Sequence, residues 1–420
     1  MNTRLPTILA AFLSVLCASA VNPVFAGPLN PPVGPVASTP GPEPRTPINA
    51  VNTPGDANSL FKITQPGSYY LTGNITGVAG KHGVEIAASG VTLDLMGFDL
   101  SGIPAMGAFD GVSATVSILT NITIRNGSVR GWGDEGVDLG TNVAINSAII
   151  DVRASDNTGN GISAGTGTTI TGCTASFNTI NGISTGSGST VAGCAARLNT
   201  GNGISANVGS TITGCSAYDN SGSGISASSG CTITGCTAYD NTGNGIAIGA
   251  GSTITGCTAY SNTSNGISVG GGAGCTITGC TARFNVGNGI VAGSDSTVTG
   301  CTASFNTGDG IQVIGDCRVT DNTCDFNGNG GDGAGIHATG GNNRIEGNNC
   351  TSADRGIDVD LASNIIIRNT CSGNTINWTI AANNVVGPIL DRRAPASAAI
   401  SGNSAPDSTG STHPNANFSY

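Results

Sequence analysis

Apolar residues recur along most of this chain in short bursts rather than long stripes. Small-Gly-aliphatic triplets place an apolar side chain at Val84, Val112, Val137, Ile162, Ile183, Ile204, Ile225, Ile246, Ile267, Ile290, Ile311, Ile336 and Ile357. The interval is 21 residues through the middle and 21–28 overall. A second aliphatic row runs Ile149, Ile170, Val191, Ile212, Ile233, Ile254, Ile277, Val298, Val319, Ile345 and Ile366. The bursts read "TIT", "GISA" and "GIAIG", which is period-2 writing with β-branched residues, whereas a helix needs a 3.6-residue period. A fixed interval of this size, punctuated by Gly and Asn, predicts a solenoid. The expected fold is an all-β, single-domain parallel β-helix of 13–14 coils of 21–28 residues, with three short strands per coil and Ile380 closing the last. No coil buries its aliphatic residues alone; neighbours about 4.8 Å away stack them into ladders.

The same period carries polar and thiol side chains. Asn178, Asn199, Asn220, Asn241, Asn262, Asn285, Asn306 and Asn327 form one row. Asn tolerates left-handed turns and its amide bonds to the Asn above and below, so this row is expected to be structural. Cys173, Cys194, Cys215, Cys236, Cys257, Cys280 and Cys301 share another position, which later coils fill with Asn322, Asn348 and Asn369. Cys324, Cys350 and Cys371 take the place of small residues such as Ala175 and Ala238. These cysteines read as buried space-fillers. Neighbouring Cα atoms at about 4.8 Å also suit a disulfide, although parallel Cβ vectors do not. Zinc-type Cys/His spacings are missing.

Composition agrees with a narrow interior: of 420 residues 67 are Gly, and only 4% are aromatic and 10% charged. The 25 acids against 15 bases argue against a nucleic-acid partner, which would require a basic patch. They permit cation binding or a weakly charged partner such as a glycan. Residues 1–26 have the form of a secretory signal, with Arg4, the apolar run "ILAAFLSVLCASAV" and "VFA" before Gly27. That run is too short to span a membrane and no later one is longer, so the expectation is an exported bacterial protein with no membrane-spanning segment in the mature chain. Residues 27–56 are rich in Pro and read as a linker, 57–385 as the β-helix and 386–420 as a polar tail.

The repeats "NGISAGTGTTITGCTASFN" and "NRIEGNNCTSADRGIDVDLASNIIIRN", with "PGSYYLTGNITGVAGKHGVEIAASGVTLDLMGFDLSG" at 66–102, resemble the right-handed parallel β-helix repeats of the pectin-lyase-like superfamily. The resemblance covers roughly 57–385 and implies a right-handed β-helix. For function it implies little, because the fold hosts lyases, hydrolases, epimerases, adhesins and inert scaffolds. A polygalacturonase-type paired Asp, Gly-His-Gly and Arg-x-Lys are missing; a pectate lyase needs an acidic calcium cluster facing a basic residue, and with only Lys62 and Lys81 in the chain that base would have to be an arginine or a histidine.

The residue after each beat faces outward. Through the middle it reads Ser163, Ser184, Ser205, Ser226, Ala247 and Ser268, so chemistry is confined to the ends. At the C-terminal end Gln312, His337 and Asp358 are expected to stack, with Asp309, Arg355 and Asp360 nearby and an inserted "NGNGGDG" overhanging them. A histidine beside a carboxylate is a general-base arrangement: His337, Asp358 and Arg355 are the catalytic candidates, and Gln312, Asp309 and Asp360 the binding candidates. At the N-terminal end Glu85, Asp110, Glu135 and Asp138 share a face with His82, and hard oxygens grouped this way suit Ca2+ or an acid/base pair. At both ends the plain alternative is a solvated polar surface. A two-column Thr array from the repeated "TIT" raises ice binding as a further option, although Thr is common on any exposed sheet. The leading expectation is a non-catalytic β-helix that binds polysaccharide or cell-surface glycan, without a cofactor unless Ca2+. The alternative is a lyase, hydrolase or epimerase acting on acidic glycans.

Overall fold

The computed structural model describes residues 45–391, except 117, 141–143, 271 and 329, and residues 413–420. Every paired strand in the solenoid is parallel, and among the described residues there is no helix. One sheet of 15 strands runs from Ser59–Ile63 to Ile376–Ile380 and carries the beat residues. The other two strands of each coil, such as Thr232–Thr234 and Thr237–Tyr239, belong to a second, 30-stranded sheet. The register is the sequence period itself: Ile225 pairs with Ile246, Ile233 with Ile254 and Ala238 with Ala259. These aliphatic columns are fully buried and form one continuous core.

The coil number exceeds the sequence count by one. Phe61 precedes Val84 in the beat column, and Trp378, rather than Ile380, follows Ile357. Aromatic rings thus stand at both ends of the aliphatic ladder, where among the described residues no further coil covers it, and the aliphatic signature does not find them. The solenoid also extends past 57–385. Thr46–Pro47 pair with Tyr69–Tyr70, and Asn417–Ser419 pair with Ile389–Asp391 and with Thr370 and Cys371. The expected signal segment 1–26, the linker up to 44 and tail residues 392–412 lie outside the described residues.

One device recurs at all three kinds of corner in the middle coils. A residue in the left-handed conformation bends the chain and points the next N–H inward, where it has no strand partner; a side chain from the following coil accepts it. At one corner Phe177 (φ 58°) precedes Asn178, whose N–H donates to Asn199 Oδ1 at 3.1 Å. At the second, Gly214 (φ 58°) precedes Cys215, whose N–H donates to Cys236 Sγ at 3.4 Å. At the third, Gly230 (φ 67°) precedes Cys231, whose N–H donates to Ser252 Oγ at 3.1 Å. Buried polar groups must be paired, and these ladders pair them from coil to coil. The Asn row is buried throughout and bonds amide to amide, as expected. All cysteines among the described residues are buried free thiols. Cys231, Cys275 and Cys317 belong to a third column that alternates with Ser210, Ser252 and Ser296.

Candidate functional site

At the C-terminal end Gln312, His337 and Asp358 are direct neighbours on successive strands, so their side chains leave one face about 4.8 Å apart. His337 Nδ1 lies 3.0 Å from Asp309 Oδ2, and Nε2 lies 3.1 Å from Asp360 Oδ2. Asp309 is itself fixed: its Oδ1 accepts the Ala334 N–H at 2.7 Å, and its own N–H donates to Asn288 Oδ1 at 2.7 Å. Asp358 is 1% exposed and pairs with Arg355. Arg355 also pairs with Asp332, which the inserted loop supplies. Asp354 Oδ2 ties that loop down by accepting from Gly331 N–H at 2.9 Å and Gly333 N–H at 3.3 Å. Gln312 Oε1 accepts from Asn288 Nδ2 at 3.1 Å. The six residues predicted here therefore come together. Asp332 and Asp354 join them unannounced, since a loop has no period to read.

Hydrogen bonding to Asp309, and then Asp360, pushes the His337 pKa up to about 9 against the opposing effect of burial. At neutral pH the ring is an imidazolium: it can donate a proton, and it becomes a free base only in alkaline solution.

The N-terminal set is only partly assembled. Asp110 and Glu135 lie together with Asp134, their carboxylate oxygens within 4.8 Å of one another. Asp110 Oδ1 accepts the Glu135 N–H at 3.1 Å, and Glu135 Oε1 accepts from Asn160 Nδ2 at 3.0 Å. Burial, and then the neighbouring Asp134, push the Glu135 carboxyl up to about 7. Burial, and then Asp110, raise that of Asp138, whose Oδ1 accepts the Gly140 N–H at 2.7 Å. Glu85 is not in the group: it forms an ion pair with Lys62 at 2.9 Å and accepts the Thr115 hydroxyl. Burial raises the Glu85 carboxyl, but these bonds outweigh it and leave it below its ordinary value. Reading one residue per coil passed over Asp134, although "DE" is written side by side. Nearby, a groove of about 450 Å3 opens between Ile103–Met106 and the exposed Asp156 and Thr158.

The middle of the outward face is less free than its composition suggests. Asn160, Asn181, Asn202, Asn244 and Asn265 each accept a backbone N–H from the next coil. The hydroxyls of Ser184, Ser205 and Ser226 remain in the adjacent in-register column. On the other sheet the Thr columns pair Thr211 with Thr232, Thr253 and Thr276, as the repeat implied. Two aromatic stacks were not foreseen: Tyr218, Tyr239 and Tyr260 at 4.8 and 4.9 Å, and Phe284, Phe305 and Phe326 at 5.1 and 5.0 Å.

The family described as right-handed β-helix region matches residues 120–281 and 265–405. The chain belongs to that family. No curated protein matches it. Among solved structures it is similar to an Azotobacter vinelandii mannuronan C-5 epimerase A-module, AlgE6, at 16% identity over 82% of this chain and 87% of that one, with a TM-score of 0.36. It is also similar to a tailspike protein of E. coli bacteriophage HK620, solved with a pentasaccharide, at 13% identity over 73% and 60% of the chains and a TM-score of 0.39. The Agl-KA catalytic domain gives 16% over 80% and 62%, with a TM-score of 0.39. Likeness at this level says nothing of substrate or activity.

Proposed function

We propose that the chain is an exported β-helix that binds polysaccharide or cell-surface glycan along the outward face of its 15-stranded sheet, without catalysis at neutral pH. The supporting observation is the charged end of that face. Side chains of His337, Arg355 and Asp360 are 20%, 31% and 47% exposed, and buried carboxylates hold the first two in place. His337 continues the column that runs through Ser184, Ser205, Ser226 and Gln312, and Arg355 and Asp360 flank it. A stiff row of hydroxyls ending in fixed charges suits a regular polymer, because few side-chain rotors freeze on binding. The experiment is a glycan array with the exported chain beside a His337→Ala/Asp360→Ala variant. Binding of one glycan class that the variant weakens supports the reading. Silence across the array would leave a purely structural protein.

The second reading is a lyase, hydrolase or epimerase acting on acidic glycans, and the Asp309–His337–Asp360 arrangement favours it. With His337 as base, turnover must rise with pH toward about 9, as the ring loses its proton. A lyase assay by ultraviolet absorbance of unsaturated uronate, run from pH 6 to 10 with and without Ca2+, tests this; a flat profile removes His337 as base. Asp110, Asp134, Glu135 and the adjacent Asp138 are the proposed Ca2+ ligands. Ice binding rests on the in-register Thr columns alone, and no inhibition of ice recrystallisation at micromolar protein would end it.

A further inference from the structure

We propose that the C-terminal cluster is a binding site for a divalent transition cation of the Zn2+ or Mn2+ class, held by His337 Nε2, Asp358 and Asp360. This rests on the cluster's geometry and not on the glycan reading. The three ligand atoms lie within 4.8 Å of one another. Two come from neighbouring strands in direct register, and the third from the first residue after the strand that carries Asp358. One imidazole nitrogen with two carboxylate oxygens suits a borderline cation better than Ca2+, which takes oxygens.

Two further observations point to a ligand. The first is the support behind His337. Metal-binding imidazoles characteristically donate their other N–H to a carboxylate, which fixes tautomer and ring plane. Asp309 stands 3.0 Å from Nδ1, is 7% exposed, and is anchored by the Ala334 N–H at 2.7 Å. That arrangement aims Nε2 at Asp360 and Asp358. The second is Thr379, next to Asp358 in the same outward column, whose buried hydroxyl has no hydrogen-bond partner. A buried orphan hydroxyl is rare, and an unseen ion or its bound water is one standard explanation.

Charge points the same way. Asp309, Asp332, Asp358 and Asp360 bring −4, and Arg355 with a neutral His337 leaves −4 + 1 = −3. A divalent cation in place of the proton shared by Nε2 and Asp360 brings this to −3 + 2 = −1. Arg355 pairs with Oδ2 of Asp358.

The test is isothermal titration of Zn2+, and separately Mn2+, into chelator-stripped full chain without glycan, with thermal shift as a second readout. Expected is one tight equivalent. Asp360→Asn, at a half-exposed position that leaves the fold intact, and His337→Gln should remove it. Asp309→Asn should weaken it about 10–100-fold as an outer-shell change. Asp240→Asn, at an exposed turn of the middle coils, should leave it unchanged. With Co2+ as probe, the visible band of an imidazole-bound ion should vanish in His337→Gln. No saturable binding, binding that survives Asp360→Asn, or binding lost equally in Asp240→Asn would each overturn the proposal. A chain that binds the metal and no glycan overturns the glycan reading alone, and the reverse result overturns only this one.

Discussion

The coils from Ile183 to Ile267 and those from Ile311 to Ile357 share an interior and differ outside. In both, isoleucines stack in register and a buried Asn row closes one corner. Outside, the first stretch offers Ser184, Ser205, Ser226, Ala247 and Ser268, and the second Gln312, His337 and Asp358. The coil length changes with the exterior: the first stretch keeps 21 residues, while the step from Ile311 to Ile336 takes 25. The added residues form the loop that carries Asp332 to Arg355. Stability therefore resides in ladders that repeat from coil to coil, and the clusters of charged side chains stand where a coil departs from the 21-residue length.

The contrast can be broken most strongly from inside. Asn220 donates to Ala196 O at 3.1 Å and Asn241 Oδ1 at 3.0 Å, and accepts from the Asn199 N–H and amide at 3.1 and 3.0 Å. Asn220→Ala strands several buried groups at once and should cost about 3–4 kcal/mol in chemical denaturation. Gln312→Ala, on the outward face of the end stretch, should stay within about 0.5 kcal/mol. Comparable losses for the two would mean that interior and exterior are not separable.

Titration sharpens the same comparison. The His337 pKa is raised from 6.5 to about 9, so the protonated ring stabilises the fold. That contribution is fully present below about 6.5 and is lost as pH rises through about 9, and by linkage it is worth up to about 3 kcal/mol. His337→Gln should flatten stability across that window, and Ser205→Ala should not change its shape. At the other end Glu135 is raised from 4.5 to about 7. The sign is the same and the origin differs: here the neutral carboxyl fits and the anion does not, so stability falls as pH climbs from 4.5 through 7. The half-buried site discounts this to about 1–2 kcal/mol. Glu135→Gln should abolish the fall, and Ca2+ should reverse it above pH 7 if the proposed site is real.

Much of this was legible because a solenoid writes its contacts at a fixed spacing. The beat column, the Asn ladder and the grouping of Gln312, His337 and Asp358 all follow from tracing the recurring triplets from coil to coil. What escaped lies off the count. Asp332 sits in an insertion, and Asp134 sits beside the column rather than in it. Phe61 and Trp378 do the same work as isoleucine without its signature. Asn417 completes the ladder through Asn369, 48 residues away along the chain, so no local pattern announces it. Glu85 was grouped by face alone, and Lys62 on the preceding strand, its ion-pair partner, was not weighed against it.

The thiols give the smallest effect and bear on why a cysteine recurs at each coil. At one corner Ser252 Oγ and Ser296 Oγ accept the N–H groups of Cys231 and Cys275 at 3.1 and 3.2 Å. The thiols of Cys231 and Cys275 there donate to Asn207 O and Gly249 O at 3.3 and 3.4 Å, and it is the serine oxygens that accept an inward N–H. At the next corner Cys236 and Cys257 do the same for Cys215 and Cys236 at 3.4 Å, until Asn322 takes over for Cys301 at 2.9 Å. If the role is acceptance, Cys236→Ser should cost no more than about 1 kcal/mol, since the acceptor remains and only a little volume is lost. Cys236→Ala should cost more, because it orphans the Cys215 N–H. A disulfide role predicts the reverse: serine and alanine would be equally harmful, and unfolding without reductant would release fewer than the 13 free thiols of the described chain.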